Sequence, residues 1–122
     1  MPKNIKLNRA DVEWLLATHE NGQGPIDWHE ESQRMRQGLD FRGANFRGEN
    51  LSYLPLARMR GGRWAMTKEK RSAVAVHLEK ANLEGANLQG AELWGAHLQE
   101  ANLLEAYLLK ARLEGAQLPV VC

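Results

Sequence analysis

The side chains able to do chemistry are few and scattered. The histidines are His19, His29, His77 and His97, and the only cysteine is Cys122. His77 and His97 stand twenty residues apart, with Gln117 twenty further on. Two imidazoles are half of a metal site, and no carboxylate or thiol continues their row, so no metal set is assigned. A lone histidine such as His19 or His29 on an amphipathic segment is read as structural or solvated. Ser32, Ser52 and Ser72 are the serines; none lies beside a histidine in a nucleophile elbow, and neither a phosphate-cradling loop nor a CxxC pair is present. The carboxylates form no catalytic pair. These residues therefore imply a non-enzyme, with neither catalytic residues nor cofactor. Cys122 cannot make an intramolecular disulfide, which fits a reducing cytoplasm.

Two stretches carry binding chemistry instead. Arg58, Arg60, Arg63, Lys68, Lys70 and Arg71, with Trp64 among them, form a basic run that is a candidate anion contact, as in nucleic-acid binding. The same charges would equally neutralise acidic neighbours in a solvated loop. Further on, Trp94, Leu104, Tyr107 and Leu109 are large apolar residues set among Glu, Gln, Asn and Lys. Their meaning depends on the element that carries them.

That element is a repeat, and repeats are read first because missing one miscalls the fold. Leucine returns every fifth residue at Leu78, Leu83, Leu88, Leu93, Leu98, Leu103, Leu108, Leu113 and Leu118. Two residues before each stands Val76 and then Ala81, Ala86, Ala91, Ala96, Ala101, Ala106, Ala111 and Ala116. On an α-helix, five residues advance about 500°, so these leucines would spiral around the rod without forming a stripe. On a continuous strand an odd period sends successive leucines to opposite faces. Ala81 and Leu83 share parity, however, so both point inward from one short extended segment. A corner must follow before the next pair, and Gly85, Gly90, Gly95 and Gly115 stand where corners are needed. The spacing predicts a solenoid with alanine and leucine in its bore.

The units Ala81-Asn82-Leu83-Glu84-Gly85, Ala86-Asn87-Leu88-Gln89-Gly90 and Ala101-Asn102-Leu103-Leu104-Glu105 resemble the A-(D/N)-L-x-x signature of pentapeptide-repeat proteins. The resemblance implies an all-β solenoid: a right-handed quadrilateral β-helix, four units to a coil, with the central leucine and the preceding alanine inside. On that geometry Trp94, Leu104, Tyr107 and Leu109 fall on outward positions. Leu104, Tyr107 and Leu109 then lie on adjoining sides of the last full coil, as a candidate interaction surface.

The rhythm extends towards the N-terminus. Phe41, Phe46, Leu51 and Leu56 are five apart, preceded by Leu39, Ala44, Glu49 and Leu54. Glu49 is a carboxylate at an inward position, where an unpaired charge is costly; either its side bulges, or it pairs with Arg47 or with an arginine of the cap. From Leu56 to Leu78 is 22 residues, not a multiple of five. The coil is thus interrupted by about 17 residues over roughly 58–75, with Thr67 capping a short helix through Ala75. Residues 1–38 are assigned as an N-terminal helical cap and 39–122 as the repeat domain. Within the cap, residues 1–7 are read as coil. Asn8 and Asp11 punctuate a first helix that Asn21-Gly22 ends. Asp27 and Glu30 punctuate a short second helix with only Trp28 and Met35 on its apolar face.

Residues twenty apart should stack, which sets Lys80 over Glu100, Glu92 over Arg112, Asn82 over Asn102 and His77 over His97. Charge is divided along the chain. Residues 1–73 hold 13 Lys+Arg against 9 Asp+Glu and residues 74–122 hold 3 against 6, so +4 and −3 give the net +1. No apolar run is long enough for a membrane span, and no signal-peptide pattern follows Met1. Pro119 lacks an amide hydrogen, so pairing should weaken there, leaving an open C-terminal end.

The resulting expectation is a rigid, non-enzymatic module presenting its walls and C-terminal end to a protein partner or to itself. Quinolone-resistance members of the family mimic DNA and inhibit topoisomerases with long, strongly acidic dimeric rods. Here the net charge is +1 and the clean coils are short, so DNA mimicry is the alternative, together with nucleic-acid contact through the basic insertion. Membrane association is not expected.

Overall fold

The computed structural model describes residues 5–64 and 67–120. Parallel bridges join Asp40 to Arg60, His77 to His97, Asn82 to Asn102, Asn87 to Tyr107, Glu92 to Arg112 and His97 to Gln117, each pair twenty residues apart. The bridges fall into four columns, so one coil takes twenty residues and has four sides. Each side pairs through a single residue before the chain turns. That is why the solenoid consists of isolated bridges without long strands.

We number the sides by their bridged residues. Side one carries Asp40, Arg60, Glu92 and Arg112, and side two carries Lys6, Asn45, His77, His97 and Gln117. Side three carries Asn50, Asn82 and Asn102, and side four carries Pro55, Asn87 and Tyr107. The central leucines Leu78, Leu83, Leu88, Leu93 and Leu98 are at most 1% exposed, as are the alanines from Ala81 to Ala96. They fill the bore, continued upward by Leu51, Leu56, Phe46 and Phe41. The two phenylalanine rings meet edge to face at 5.1 Å, a favoured aromatic geometry.

The interruption is shorter than the sequence suggests. Asn45, Asn50, Pro55 and Arg60 bridge residues 32 further on, and 32 less the coil length of 20 leaves 12 inserted residues. The chain completes one more side, Met59 to Gly61, before leaving the coil. It resumes at Ala75, where the Val76 amide donates to the Gly61 carbonyl at 2.7 Å. The inserted residues are therefore 63–74. Gly61 escapes a leucine-based reading because it takes a bore position with no side chain. A Cβ there would lie 2.7 Å from Val76 Cγ1 and 2.9 Å from Leu93 Cδ2. Within the insertion, helix α2 spans Lys68–Val74, and the Thr67 hydroxyl accepts from the Lys70 amide.

Helix α1 spans Arg9–Gly22 and buries Val12 and Leu16 against the first coil. Asn8 and Asp11 cap each other reciprocally, each side chain accepting from the other's backbone amide at 2.9 Å. Its last turn is not helical: His19 is extended, and Glu20, Asn21 and Gly22 have positive φ.

The expected second helix does not form. Only a 3-10 turn at Glu31–Gln33 is present, and Asp27 Oδ1 accepts from the His29 amide in a local turn of its own. One buried apolar residue, Trp28, is too little to offset helix nucleation, and Met35 is 85% exposed. Arginines organise the segment instead. Arg36 donates to the Gly24 and Pro25 carbonyls and to Glu20. Arg34 lies over the Trp28 ring, which packs with Ile26 and Ala57.

Part of the N-terminal edge is paired by the preceding segment, which matters because an open edge is a template for aggregation. Residues expected as coil supply an extra rung on side two: Leu7 N–H donates to Asn45 O, and Asn45 N–H to Ile5 O. On side three, Arg9 Nη1 donates to the carbonyls of Asn50 and Ser52 at 3.1 and 3.0 Å. On side four the bridged residue is Pro55, which has no outward amide to leave unpaired. Glu49, expected to pair with an arginine, instead meets Lys6 Nζ at 3.1 Å.

Candidate interaction surface

The last coil is built like the others, but among the described residues no backbone group pairs with its outer edge. In the earlier coils the central residue's amide donates to the next coil, as Leu83 N–H does to Asn102 O and Leu88 N–H to Tyr107 O, except at Leu56, whose amide turns to the Leu54 carbonyl. Among the described residues, the amides of Leu103, Leu108 and Leu113 have no such acceptor. Burial follows the same gradient: Leu98 is 1% exposed, Leu103, Leu108 and Leu113 are half-buried, and Leu118 is 52% exposed.

Beside this edge, Leu104, Tyr107 and Leu109 are 61%, 59% and 63% exposed. They occupy the corner after side three, side four itself and the corner after it. Trp94 does not join them. It is half-buried, with Gly62 so close to its backbone that a Cβ would lie 2.1 Å from the Trp94 carbonyl oxygen. A residue that sequence reasoning missed is Tyr53, 65% exposed. Its ring lies over Gly85, two coils above the Leu104 corner. The 12-residue insertion hid that alignment, because Tyr53 and Gly85 are 32 apart rather than 20.

The basic run is divided by the fold. Arg58 and Arg60 belong to the coil: Arg58 Nε donates to the Arg36 carbonyl, and Arg60 lies 3.9 Å from Asp40. Arg63, Lys68 and Lys70 are exposed on the insertion, where Arg71 stacks over the exposed Trp64 ring at 5.3 Å. Asp40 also takes a two-pronged contact from Arg42, with Nε to Oδ1 at 2.8 Å and Nη2 to Oδ2 at 2.7 Å. That hydrogen bonding outweighs the cost of burial and holds the Asp40 carboxyl down at about 2.

The stacked pairs on the wall mostly form. Lys80 and Glu100 meet at 3.7 Å, Asn102 Nδ2 donates to Asn82 Oδ1 at 3.2 Å, and the His77 and His97 rings stack at 4.5 Å and 6°. Glu92 and Arg112 are joined through their backbones, with no side-chain ion pair between them among the described residues. The histidine row also gains a carboxylate. Glu79 Oε2 lies 3.3 Å from His77 Nδ1 and accepts from Arg47 Nη2 at 2.8 Å. The parity of His77 and Glu79, two apart and both outward, is the signal that a search along the twenty-residue row passes over. Burial alone would raise the Glu79 pKa, but hydrogen bonds from its own backbone, Arg47 and His77 hold it below the usual range. His19 and His29 stay apart from this group: His19 Nε2 contacts the Gln37 carbonyl at 2.8 Å, and His29 is exposed. Cys122 lies outside the described residues.

Among known proteins, residues 81–118 match the family model for pentapeptide repeats, in eight copies. No curated protein matches the chain. It is similar to the crystal structure of a pentapeptide repeat protein from the cyanobacterium Cyanothece 51142. That match has 26% identity over 60% of this chain and 38% of that one, with a TM-score of 0.32. It is also similar to HetL, a pentapeptide repeat protein involved in heterocyst differentiation regulation in the cyanobacterium Nostoc sp. strain PCC 7120. Here identity is 30% over 65% of this chain and 36% of that one, with a TM-score of 0.26. The chain thus spans well under half the length of both. A further pentapeptide repeat protein from Nostoc PCC 7120 matches at 19% identity over 99% of this chain and 92% of that one, with a TM-score of 0.31. No helix among the described residues is long and apolar enough to cross a membrane.

Proposed function

We propose, for a chain whose residues 81–118 are pentapeptide repeats, a non-enzymatic role as a cytoplasmic protein-interaction module. In this reading the coil winds right-handed, residues 1–38 serve as its cap, and the last coil meets a protein surface. The occupant favoured is a second copy of the chain.

The observation that carries the reading is the contrast between the two ends. At the N-terminal edge, Ile5, Lys6, Leu7 and Arg9 bond outward backbone groups of sides two and three, and Pro55 has no amide hydrogen to leave on side four. At the last coil, half-buried bore leucines, whose amides find no acceptor among the described residues, are bordered by Leu104, Tyr107 and Leu109. Burying such an edge satisfies backbone groups and removes apolar area from water together, at about 25 cal/mol per Å² for the apolar part. Two copies meeting there would extend one bore into the other. A protein partner of complementary apolar surface would meet the same requirement. Nucleic acid is not favoured, because Arg58 and Arg60 are committed to wall contacts.

Light scattering behind size exclusion, over a dilution series, tests the reading. An apparent mass above the 13.8 kDa monomer that falls on dilution is expected, and a strict monomer at high micromolar concentration would remove self-association.

A further inference from the structure

We propose that His77, Glu79 and His97 bind a single divalent transition-metal ion of the zinc type on side two. One ligand atom from each lies within 4.8 Å of the other two. A four-coordinate zinc ion with bonds of about 2.0–2.1 Å holds its donors roughly 3.3–3.5 Å apart. The His77 Nδ1 to Glu79 Oε2 separation is 3.3 Å, so one edge of that figure already exists. The remaining donors need to draw in by little more than an ångström, through side-chain rotation.

Unpartnered atoms point the same way. Glu79 Oε1 and His97 Nε2 are enclosed and have no hydrogen-bond partner among the described residues. An enclosed donor or acceptor left unmatched is destabilising, so each should be satisfied by something bound. Gln99, which follows Glu79 by one coil, also has its Oε1 enclosed and unpartnered, while its Nε2 is bonded to Gln117 Oε1. It is a neutral oxygen that can serve as the fourth donor in place of water. Glu79 would grip the ion with both oxygens, the unpartnered Oε1 and the Oε2 beside His77, while Oε2 keeps its Arg47 contact, which fixes the carboxylate as outer partners of metal ligands commonly do.

The donor set selects the ion. Two imidazoles and one carboxylate suit zinc, nickel or copper, whereas magnesium and calcium prefer oxygen alone. The twenty-residue register supplies the pair of imidazoles, stacked at 4.5 Å on successive coils, so an ion here would also tie two coils together. The competing occupant of these enclosed atoms is ordered water.

Calorimetric titration of the full chain with zinc chloride, alongside thermal melting, separates the two. One ion per chain is expected, with a melting temperature raised by several degrees at about a hundredfold excess over Kd. His77→Gln and His97→Gln should each weaken binding by roughly tenfold or more, in line with loss of a ligand. His19→Gln and His29→Gln should leave it unchanged. Glutamine already stands in this row at Gln117, and metal-free melting checks that each variant folds. Cobalt(II) added to the unaltered protein should give the visible bands of a tetrahedral imidazole site, a reading independent of any variant. No heat and no melting shift at about 100 µM zinc, or cobalt without such bands, would overturn the proposal. So would binding that survives the double His77→Gln, His97→Gln change.

Discussion

Every fifth residue of the coil turns its corner with positive φ, and the corners are not all glycine. Lys80, Glu100, Glu105 and Lys110 hold φ near 60°, as do Gly85 and Gly90 at 66° and 70°. A left-handed conformation costs a non-glycine residue roughly 1 kcal/mol, so Glu105→Gly should not destabilise the rod. Gly85→Ala should, because its Cβ would stand 2.2 Å from the Tyr53 ring as well as in a strained corner. We expect a loss of about 2 kcal/mol or more, measured by urea unfolding. Asp40 gives a pH-dependent counterpart. Its folded pKa is depressed to about 2, so its contribution is fully present above the ordinary carboxylate range and is lost as pH falls towards 2. Asp40→Asn should cost roughly 1–2 kcal/mol at neutral pH and flatten the acid limb of the stability curve between about pH 4 and pH 2. At this scale the stacked rows were legible because twenty-residue register follows from four sides. The partner of Glu49 was not, since Lys6 reaches it from a rung with no repeat of its own.

The elements differ in how openly the sequence declares them. Helix α1 was legible from its punctuation, because Asn8 and Asp11 satisfy two amide hydrogens reciprocally. Asn8→Ala should therefore lower stability by about 1 kcal/mol in thermal or denaturant unfolding. The segment after it reads as a second helix on capping residues alone, but Asp27 spends its side chain on a local turn at His29 instead. The rung Ile5–Leu7 is too short to carry a period, so only the coil beneath reveals it. The insertion was legible in existence and in its Thr67 cap, but not in length, because Gly61 fills a bore position without an apolar side chain. Its ends resume the coil in register, as the Val76 to Gly61 bond shows. Joining Gly62 directly to Ala75, with 63–74 removed, should leave a folded coil whose melting temperature changes by only a few degrees. Far-UV circular dichroism would follow the loss of α2 alone.

The whole molecule is a rod with unlike ends. Its bore was legible because leucine and alanine keep a strict period; its exposed corner was less so, since Tyr53 joins it across an insertion of unknown length. The side chains that depart from the repeat, Leu104, Tyr107 and Leu109, lie beside the coil whose backbone is least paired. If that coil meets a second copy, both the edge and the apolar corner are removed from water, and charge placed there should prevent it. The measurement that bears most directly on this is molar mass by light scattering, from low to high micromolar protein, for the unaltered chain and for Tyr107→Glu with Leu109→Glu. The account predicts concentration-dependent mass above 13.8 kDa for the first and a monomer throughout for the second. A monomer at every concentration for the unaltered chain, or association that the two glutamates leave untouched, would contradict it.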